Sequence, residues 1–584
     1  MRECGVSTLP SSVAERLARL APDQRAAATA PPGPVLCVAP AGSGKTTTLV
    51  ARVAWLVAAA DADPATIAAI TFNTRAAEEL RARLDPALAP LDVAPGAVRV
   101  RTFHALGLEI LRDAGVRPEL RARDAILRRA CPELDAAARR RLDGAFSRLK
   151  LDLAVTVADV GGDPAPGPVA RAFIAYEKAL GEAGAIDFDD LVAVALRRLL
   201  EDAALLARWR SRCAHLLVDE VQDVDASQLR LAVLLAAPED RIFLVGDDDQ
   251  SIYGWRLADV RRVLGLAAAL PGLRRVDLEV NYRCPAPVVA AAVRLVERNA
   301  ERFAKRVRPR PDAPGRLVLA PAATARDPAA EMRIAARVID GWPIDDGTRA
   351  ILARTRRELL PAAAVALARA IPFRADGVGL LLEDPRLDAI LAEAGTTPET
   401  IPPLLRIGAV AGATGGRGRV TLDAPGTGSA ADGPPTDATD PDDPGPEVPP
   451  LPDVVAALLA WAAPYPTLAA LRAAIDVARE RLAALRAAEP RLTLATAHAT
   501  KGLEFDHVAV IGMSEGRFPS PRALDEGGDP ARALEEERRL AYVAWTRARR
   551  TLTLAFEPES PSRFLVEAFG SAVTDPGGTK SDRR

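Results

Sequence analysis

Cysteines and long apolar runs are scarce in this sequence of 584 residues. The five cysteines lie far apart and none forms a Cys-x-x-Cys pair, which excludes a disulfide scaffold and is typical of a reducing compartment. No run of about 18 uncharged apolar residues occurs, so we expect no membrane span. The first twenty residues carry charges where a signal peptide needs an apolar stretch, and export is therefore not expected.

Lysine is the rarest of the charged residues. Six lysines accompany 70 arginines, a bias that fits a GC-rich genome and makes each remaining lysine a residue to consider. The net charge is −2, with 49% apolar and 26% charged residues, which is typical of a soluble globular protein and excludes wholesale disorder. The length predicts three or four structural units rather than one core.

One segment differs in composition from the rest of the chain. Residues 421–450 contain seven acidic residues, eight prolines and four glycines, and no lysine or arginine. Such a segment cannot bury a core, so we predict a disordered acidic linker within 410–450. We also expect a flexible tail over 571–584.

Short apolar runs rich in β-branched residues alternate with helical patterns in two blocks. Strands separated by helices are typical of parallel α/β sheets, so the sequence predicts two such sheets. Helical insertions are predicted between strands at 110–212 and 377–490. The predicted strands are 35–39, 68–72, 98–103, 215–219 and 242–246 in the first block, and 349–354, 492–497, 507–512 and 552–556 in the second.

A glycine-rich segment, APAGSGKT at 39–46, follows the first predicted strand and precedes a helical pattern. Strand, loop and helix in this order are what a phosphate-binding loop requires, because backbone N–H groups and the helix N-terminus then face the phosphate oxygens. Lys45 would reach the β- and γ-phosphates of ATP, and Thr46 would bind Mg²⁺. Ala39 stands where the pattern has its first glycine. The alternative is a Gly-Ser turn beside an unrelated lysine.

Two adjacent carboxylates end the predicted strand at 215–219. Asp219 would hold Mg²⁺ through water, and Glu220 would polarise the attacking water as a general base. The alternative is a polar loop after a strand. Gln222 and Asp223 complete a DExQD pattern, which is more specific than the acidic pair alone.

With these motifs in order, the sequence resembles the UvrD/Rep/PcrA group of superfamily 1 DNA helicases. The resemblance implies two RecA-like motor domains with ATP in the cleft between them. It extends from residue 23 to residue 549. The matching stretches are DQRAA (23–27), APAGSGKT (39–46), ITFNTRAAEEL (70–80), TFHALG (102–107), DEVQD (219–223), VGDDDQSIYGWR (245–256), NYRCP (281–285), ATAHATKGLEFDHV (495–508) and EEERRLAYVAWTRAR (535–549).

The resemblance also implies the residues that contact ATP. The loop contacts would come from Ala39, Pro40, Ala41, Gly42, Ser43, Gly44, Lys45, Thr46 and Thr47. Outside the loop, Gln24 would read the adenine edge, Tyr282 would stack on the ring, Glu504 would bond the ribose, Gln250 would contact the γ-phosphate, and Arg283 and Arg547 would act as arginine fingers. For Arg547 the alternative is one solvated arginine among many.

A second set of residues lies in the stretches that contact single-stranded DNA in this family. Stacking on aromatic side chains suits a translocase, because every base offers a π-face. The alternative is that Phe72 and Tyr253 are core residues at strand ends. A metal site at the histidines is not expected, since no ligand spacing accompanies them. The predicted DNA contacts are Phe72, Asn73, His104, Tyr253, Trp255, Arg256 and His498.

The sequence departs from the family pattern in several places. Thr47 stands where an arginine usually stacks on adenine, Pro40 replaces a glycine, and FNTR at 72–75 changes the usual order. The second helical insertion is much shorter than in the family, whose subdomain there binds duplex and regulates unwinding. Translocation is therefore expected more firmly than unwinding.

These observations define the predicted organisation and three hypotheses on function. The hypotheses are a 3′–5′ DNA helicase of repair or replication, a translocase that strips proteins and unwinds poorly, and a non-motor protein with a decayed ATP site. The intact set of motor residues argues against the third. Expected partners are single-stranded and tailed duplex DNA, a repair protein or a second copy, in the bacterial cytosol or nucleoid. The predicted domains are a first motor domain (1–109 and 213–285), its insertion (110–212), a second motor domain (286–376 and 491–570), its reduced insertion (377–490) and the tail (571–584).

Overall fold

Two parallel sheets of six strands organise the chain, which confirms the predicted α/β class. The chain divides into two units, the first formed by residues 1–283 and 299–311 and the second by 284–298 and 312–584. The computed structural model describes residues 9–151, 167–322, 328–376, 378, 380–398, 400–415, 451–462, 464–487, 489–526 and 528–574.

All the strand pairs of both sheets are parallel, as the alternation of strands and helices predicts. The described strands of the first unit are β1 (Val35–Val38), β2 (Ile67–Thr71), β3 (Arg99–Thr102), β4 (Glu119–Leu120), β5 (Ala185–Ile186), β6 (His215–Val218), β7 (Ile242–Gly246), β8 (Arg274–Asp277), β9 (Val280–Asn281) and β10 (Arg308–Pro309). Those of the second unit are β11 (Arg316–Pro321), β12 (Arg349–Ala353), β13 (Phe373–Arg374), β14 (Leu492–Thr496), β15 (Phe505–Val510) and β16 (Ala548–Phe556).

The strand order of the first sheet determines where the loops at its carboxyl edge lie. The order is β3-β2-β6-β7-β1-β8, with β4 and β5, and β9 and β10, forming two small parallel pairs. From β1 the chain crosses to β2 on one side, and from β7 it crosses over β1 to β8 on the other. Because the direction of winding reverses beside β1, a crevice opens at the carboxyl ends of the strands there.

The second sheet has the order β11-β16-β15-β12-β14-β13. Three strands of the two sheets have no counterpart among the predicted runs: β8, β11 and β13. The sequence of β8 is RRVD, whose charged residues lack the apolar pattern by which strands are predicted. Strand β13 contains only two residues. Edge positions tolerate such sequences, because one side of an edge strand needs no apolar neighbour.

The helices of the first unit cover both faces of its sheet. In the described residues they are α1 (Ser11–Ala18), α2 (Pro22–Ala28), α3 (Lys45–Ala59), α4 (Thr74–Leu88), α5 (Phe103–Asp113), α6 (Arg123–Ala130), α7 (Ala136–Leu151), α8 (Pro168–Glu182), α9 (Asp190–Glu201), α10 (Ala203–Arg212), α11 (Ala226–Ala236), α12 (Val260–Leu264) and α13 (Leu266–Ala269).

The helices within the predicted first insertion, 110–212, pack in two separate cores. Helix α5 runs through position 110, and α9 and α10 bury Leu196 and Trp209 in the same core as strands β2 and β6. Helix α5 packs closely on α9 because Gly107 has no Cβ, which would lie 2.8 Å from the carbonyl carbon of Leu191. A separate core, centred on Phe146 and Tyr176, holds α6, α7 and α8 together.

The second unit has its own helices around its sheet. In the described residues they are α14 (Ala286–Val296), α15 (Pro328–Asp340), α16 (Leu360–Ala368), α17 (Pro385–Gly395), α18 (Pro403–Gly415), α19 (Leu451–Ala462), α20 (Leu468–Ala487), α21 (Pro521–Glu526), α22 (Pro530–Trp545), α23 (Arg563–Phe569) and α24 (Ser571–Thr574).

The predicted second insertion, 377–490, contains four described helices, α17 to α20, which share one core with strands β12 and β14. The predicted linker cannot begin at 410, because α18 continues through Gly415; the acidic stretch 421–450 lies outside the described residues. The predicted tail likewise cannot begin at 571, because α24 is helical; residues 575–584 lie outside the described residues.

None of the described helices combines the length and the apolar character that a membrane span requires.

Candidate nucleotide and nucleic-acid site

The phosphate loop joins β1 to α3 in the first unit. The Ala39 N–H donates to the Gly246 carbonyl oxygen at 2.8 Å, so the loop begins as an extension of the sheet. Gly42 and Gly44 have φ of +69° and +85°, in the region that glycine adopts readily. A Cβ at Gly42 would lie 2.7 Å from the Cβ of Arg283, so the close approach of the two segments also requires glycine.

Predicted ATP-contacting residues surround the loop. The Gln24 amide donates to the Ser43 carbonyl oxygen at 2.8 Å and is buried. The Tyr282 N–H donates to the Gly42 carbonyl oxygen at 2.8 Å, and the Tyr282 side chain is 40% exposed. The structure therefore brings Gln24, Tyr282 and Arg283 together at the loop, with an aromatic ring left available for stacking.

Lys45 begins helix α3, and its Nζ lies 2.8 Å from both carboxylate oxygens of Glu220. Burial opposes the charged form of Lys45, but the carboxylates of Glu220, Asp219 and Asp247 outweigh it and raise the pKa of the lysine. Lys45 is therefore charged. The loop lysine and the acidic pair occupy one site although 175 positions separate them.

Asp219 follows β6, where its N–H donates to the Ile70 carbonyl oxygen at 2.8 Å. Its Oδ1 accepts the Glu220 N–H at 2.9 Å, and Glu220 has a positive φ of 53°. Burial and the Glu220 carboxylate raise the pKa of Asp219 to about 7. A carboxylate in this state gains from a nearby cation.

The donor set fits a magnesium ion. Thr46, in the first turn of α3, and Asp219 offer hydroxyl and carboxylate oxygens, the ligands that Mg²⁺ prefers. Within the described residues no group of three or more histidine, cysteine or acidic side chains forms a metal cage. Mg²⁺ usually takes one or two carboxylates and completes its shell with water and phosphate, so a cage is not required.

Gln250 lies in a buried turn after β7. Its amide donates to Asp247 Oδ2 at 2.7 Å, and the same oxygen accepts the Ala41 N–H of the phosphate loop at 3.1 Å. The Asn281 amide donates to the Ala41 carbonyl oxygen at 2.8 Å. Asp247 and Asn281 thus fix the loop from both sides.

An aromatic pair lies a few residues beyond Gln250. The rings of Phe72 and Tyr253 stack with centroids 5.1 Å apart and an interplanar angle of 13°, and the Arg256 guanidinium lies 5.9 Å from the Tyr253 centroid. Both residues are half-buried, and neither belongs to a hydrophobic core of the described residues. The side chain of Trp255 lies outside the described residues.

Two other predicted DNA contacts of the first unit have structural partners. The Asn73 Oδ1 accepts the Ala76 N–H at 2.8 Å and caps helix α4. The His104 ring stacks on Phe188 with centroids 3.9 Å apart, and burial lowers the pKa of His104 to about 4. His104 is therefore neutral at physiological pH.

Three predicted residues belong to the second unit. Glu504 is ion-paired with Arg549. The Arg547 guanidinium is buried and donates to the carbonyl oxygens of Val543, at 2.8 Å, and Leu503, at 3.1 Å. Burial, with Arg354 and Lys501 nearby, lowers the pKa of His498 to about 3.

Several residues of the site are not singled out by the sequence. Asn281 and Asp247 stand inside the matching stretches NYRCP and VGDDDQ, but their bonds to the phosphate loop depend on the fold. Lys305, which contacts Asp247 at 2.6 Å, has only its rarity as a signal. Phe188 lies in the stretch IDFDDL, whose sequence does not indicate that Phe188 is a partner for His104.

Known proteins match both halves of the chain. The family model "UvrD/REP helicase N-terminal domain" matches residues 20–270, and "UvrD-like helicase C-terminal domain" matches 463–558. DNA helicase II of Escherichia coli is 29% identical over 638 aligned positions, covering 93% of this chain and 86% of that protein.

Two further relatives match shorter parts of this chain. ATP-dependent DNA helicase Rep of Escherichia coli is 32% identical over 50% of this chain and 45% of Rep. ATP-dependent DNA helicase PcrA of Leuconostoc citreum is 34% identical over 47% of this chain and 38% of PcrA. With the phosphate loop, the acidic pair and both sheets in place, the chain belongs to the UvrD/Rep/PcrA-like family of superfamily 1 ATP-dependent DNA helicases.

Proposed function

We propose that this protein hydrolyses ATP to move 3′–5′ along single-stranded DNA and thereby unwinds duplex DNA in repair or replication. One observation carries the proposal. The turn that holds Gln250 is bonded through Asp247 to the phosphate loop, and Tyr253, three residues further on, stacks with Phe72. A change at the nucleotide and a change at a stacked base would therefore act on one short segment.

The Lys45–Glu220 ion pair supports a role for both residues in ATP turnover. When the phosphates of ATP arrive, Lys45 would move its charge to them and release the Glu220 carboxylate. A carboxylate freed from its lysine can orient and deprotonate the attacking water. Arg283 and Arg547 are the arginines that we assign to the γ-phosphate, and Arg547 would have to exchange its carbonyl partners for that contact.

Thr46 and Asp219 are the residues that would hold Mg²⁺, whose positive charge neutralises the phosphates when it is bound. Gln24 and Tyr282 would bind the adenine from the edge and the face, and Glu504 would bind the ribose. Thr47 is exposed and too short to stack, so the adenine would have one aromatic face contact, from Tyr282.

For the nucleic acid, Phe72 and Tyr253 offer ring faces and Arg256 a nearby positive charge. Bases stack on such faces without sequence preference, as a translocase requires. Trp255, Asn73, His104 and His498 complete the proposed DNA contacts. The 3′–5′ direction, the repair or replication setting and a place in the bacterial cytosol or nucleoid rest on the family.

The short second insertion favours a second candidate. Its four described helices lie where the resemblance to the family implies a larger subdomain that binds duplex. A protein with the same motor but a reduced insertion would translocate and strip proteins, and would unwind poorly without a repair protein or a second copy.

Two measurements in one buffer test the proposal. ATP hydrolysis is followed with and without single-stranded DNA, and strand displacement is followed on 3′-tailed and 5′-tailed duplexes. Stimulated hydrolysis with displacement of the 3′-tailed duplex alone is the expected result. Stimulated hydrolysis without displacement would favour the translocase, and hydrolysis that ignores DNA would overturn the assignment of Gln250 and Tyr253.

A further inference from the structure

Lys305 has no part in the proposed chemistry, yet its side chain is fully buried. Its Nζ lies 2.6 Å from Asp247 and 2.9 Å from Asp249, and it also pairs with Asp248. The single ammonium group of Lys305 therefore pairs with the carboxylates of three consecutive aspartates. In a chain with 70 arginines, a lysine at such a place calls for a physical reason.

The geometry of the cluster supplies that reason. An ammonium group is a compact charge with three N–H donors, one for each of the three carboxylates. A guanidinium is planar and larger, and pairs best with one carboxylate at a time. Three carboxylates converging on one nitrogen within 3 Å therefore select lysine over arginine.

Neighbours of Lys305 in the chain hold the same turn. Arg302 bonds both oxygens of Asp249 at 3.0 and 2.8 Å, and the Phe303 N–H donates to Asp248 Oδ2 at 2.8 Å. The short segment 302–305 thus fixes the backbone turn that ends at Gln250. Its two cations face three buried carboxylates.

Asp247 transmits this arrangement to the nucleotide site. One of its oxygens, Oδ1, accepts from Lys305, while Oδ2 accepts from the Ala41 N–H and from the Gln250 amide. Without the lysine charge, the three carboxylates would repel one another in a buried place, and Asp247 would rotate or take up a proton. Either change alters the oxygen that orients both Gln250 and the phosphate loop.

We propose that Lys305 is a positioning residue, which acts through Asp247 to hold Gln250 in the arrangement that ATP turnover requires. The inference rests on the proposed function, because it assigns Gln250 to the coupling of ATP and DNA. Lys305 itself contacts neither substrate.

Lys305→Met keeps the length of the side chain and removes its charge. We expect kcat of DNA-stimulated ATP hydrolysis to fall about 10- to 100-fold, as displaced catalytic groups do, with KM for ATP within about threefold. Lys178→Met, at an exposed lysine of the first unit, is the matched control and should leave both constants unchanged. Thermal melting of each variant checks that the fold persists.

A double-variant cycle with Gln250→Ala separates positioning from general stability. If Lys305 acts through Gln250, the pair Lys305→Met and Gln250→Ala should lose little more kcat than Gln250→Ala alone. Losses in kcat that multiply, or a folded Lys305→Met protein with normal turnover, would overturn the proposal.

If Lys305→Met does not fold, Lys305→Arg, which keeps the charge, replaces it in the double-variant cycle with Gln250→Ala. It should show a smaller loss of kcat with the same non-additivity, and independent effects would again overturn the proposal. If single-stranded DNA does not stimulate ATP hydrolysis by the wild-type protein, the proposed function is overturned. The double-variant cycle, measured on ATP hydrolysis without DNA, would still test the role of Lys305.

Discussion

The carboxyl edges of the two sheets carry similar charges in different states. At the first edge, Lys45 bonds Glu220, and the neighbouring Asp219 has a pKa raised to about 7. At the second edge, Arg354 bonds Glu537 through two nitrogens, at 2.6 and 2.9 Å, and the Ser520 N–H completes the shell of that carboxylate.

We infer that this difference separates the proposed ATP site from a structural ion pair on the same architecture. A carboxylate with a raised pKa beside a lysine is poised to exchange partners when a polyanion and a cation arrive. A buried carboxylate satisfied by one arginine and a backbone N–H has little to gain from exchange. Both sheets have a carboxyl edge of this kind, and the residues of the loops determine which edge can perform chemistry.

The largest effect should come from the first edge. Glu220→Gln removes the proposed general base, and we expect kcat for ATP to fall about 10²- to 10⁴-fold with little change in KM. Lys45→Ala should abolish turnover as well. Initial rates with saturating single-stranded DNA provide the test. Glu79→Gln, at an exposed residue, is the control, and near-normal turnover in Glu220→Gln would remove the distinction between the edges.

At the second edge the expected effect is on stability. Glu537→Ala leaves the Arg354 charge without its partner, and the free energy of unfolding should fall by about 3–5 kcal/mol. Chemical denaturation of the nucleotide-free protein measures it. The pair Arg354→Met and Glu537→Leu should recover most of the loss, since no buried charge remains. A cost below about 1 kcal/mol for Glu537→Ala would show that this pair is not structural.

A smaller effect should distinguish the aromatic pair from both edges. Phe72→Ala removes a stacking face worth about 1–3 kcal/mol per base, so half-maximal stimulation should need about 5- to 150-fold more single-stranded DNA. DNA-free ATP turnover should not change, and Trp255→Ala should behave alike. Titrations of ATPase rate against DNA concentration measure the shift. Leu120→Ala, an exposed apolar residue, is the control; an unshifted Phe72→Ala curve would return Phe72 to a packing role.

The smallest effect concerns His104, a half-buried histidine of the first unit. Because the pKa of His104 is lowered from 6.5 to about 4, the native state binds fewer protons than the unfolded chain. The contribution of this pKa difference to the free energy of unfolding is fully present above pH 6.5 and is lost as the pH falls toward 4. Between pH 7 and 5.5 the loss is about 1 kcal/mol.

Parallel denaturation curves of the wild type and His104→Gln at these two pH values test this expectation. The difference between the proteins should shrink by that amount at the lower pH. A pH-independent difference would mean that His104 ionises normally, and is exposed enough to bind DNA phosphate as a cation.

The sequence predicts much of this fold, for local reasons. Strand β1, the loop glycines and Lys45 are contiguous, so spacing alone identifies them. Strand β8 is missed because its RRVD sequence lacks the apolar pattern of the buried strands. The predicted linker starts too early because glycine and alanine in 403–415 resemble a loop as much as a helix.

The site is less predictable where it depends on long-range contacts. Asp247 meets Ala41 across 206 positions and Lys305 across 58, and no periodicity reports such pairs. The family resemblance points to Gln250 but not to the carboxylate that holds it. Arg547 is predicted as a finger from its motif, whereas its bonds to Val543 and Leu503 depend on how α22 ends.

The division of the chain into its two units has a consequence for proteolysis. The backbone passes between units after Arg283, after Arg298 and after Pro311, so neither unit is one continuous stretch of sequence. A protease that cuts once, anywhere, leaves at least two peptide connections or removes only a piece of one unit. Separating the two units therefore requires three cleavages, and a nick at any one of these three crossing points leaves the units covalently joined.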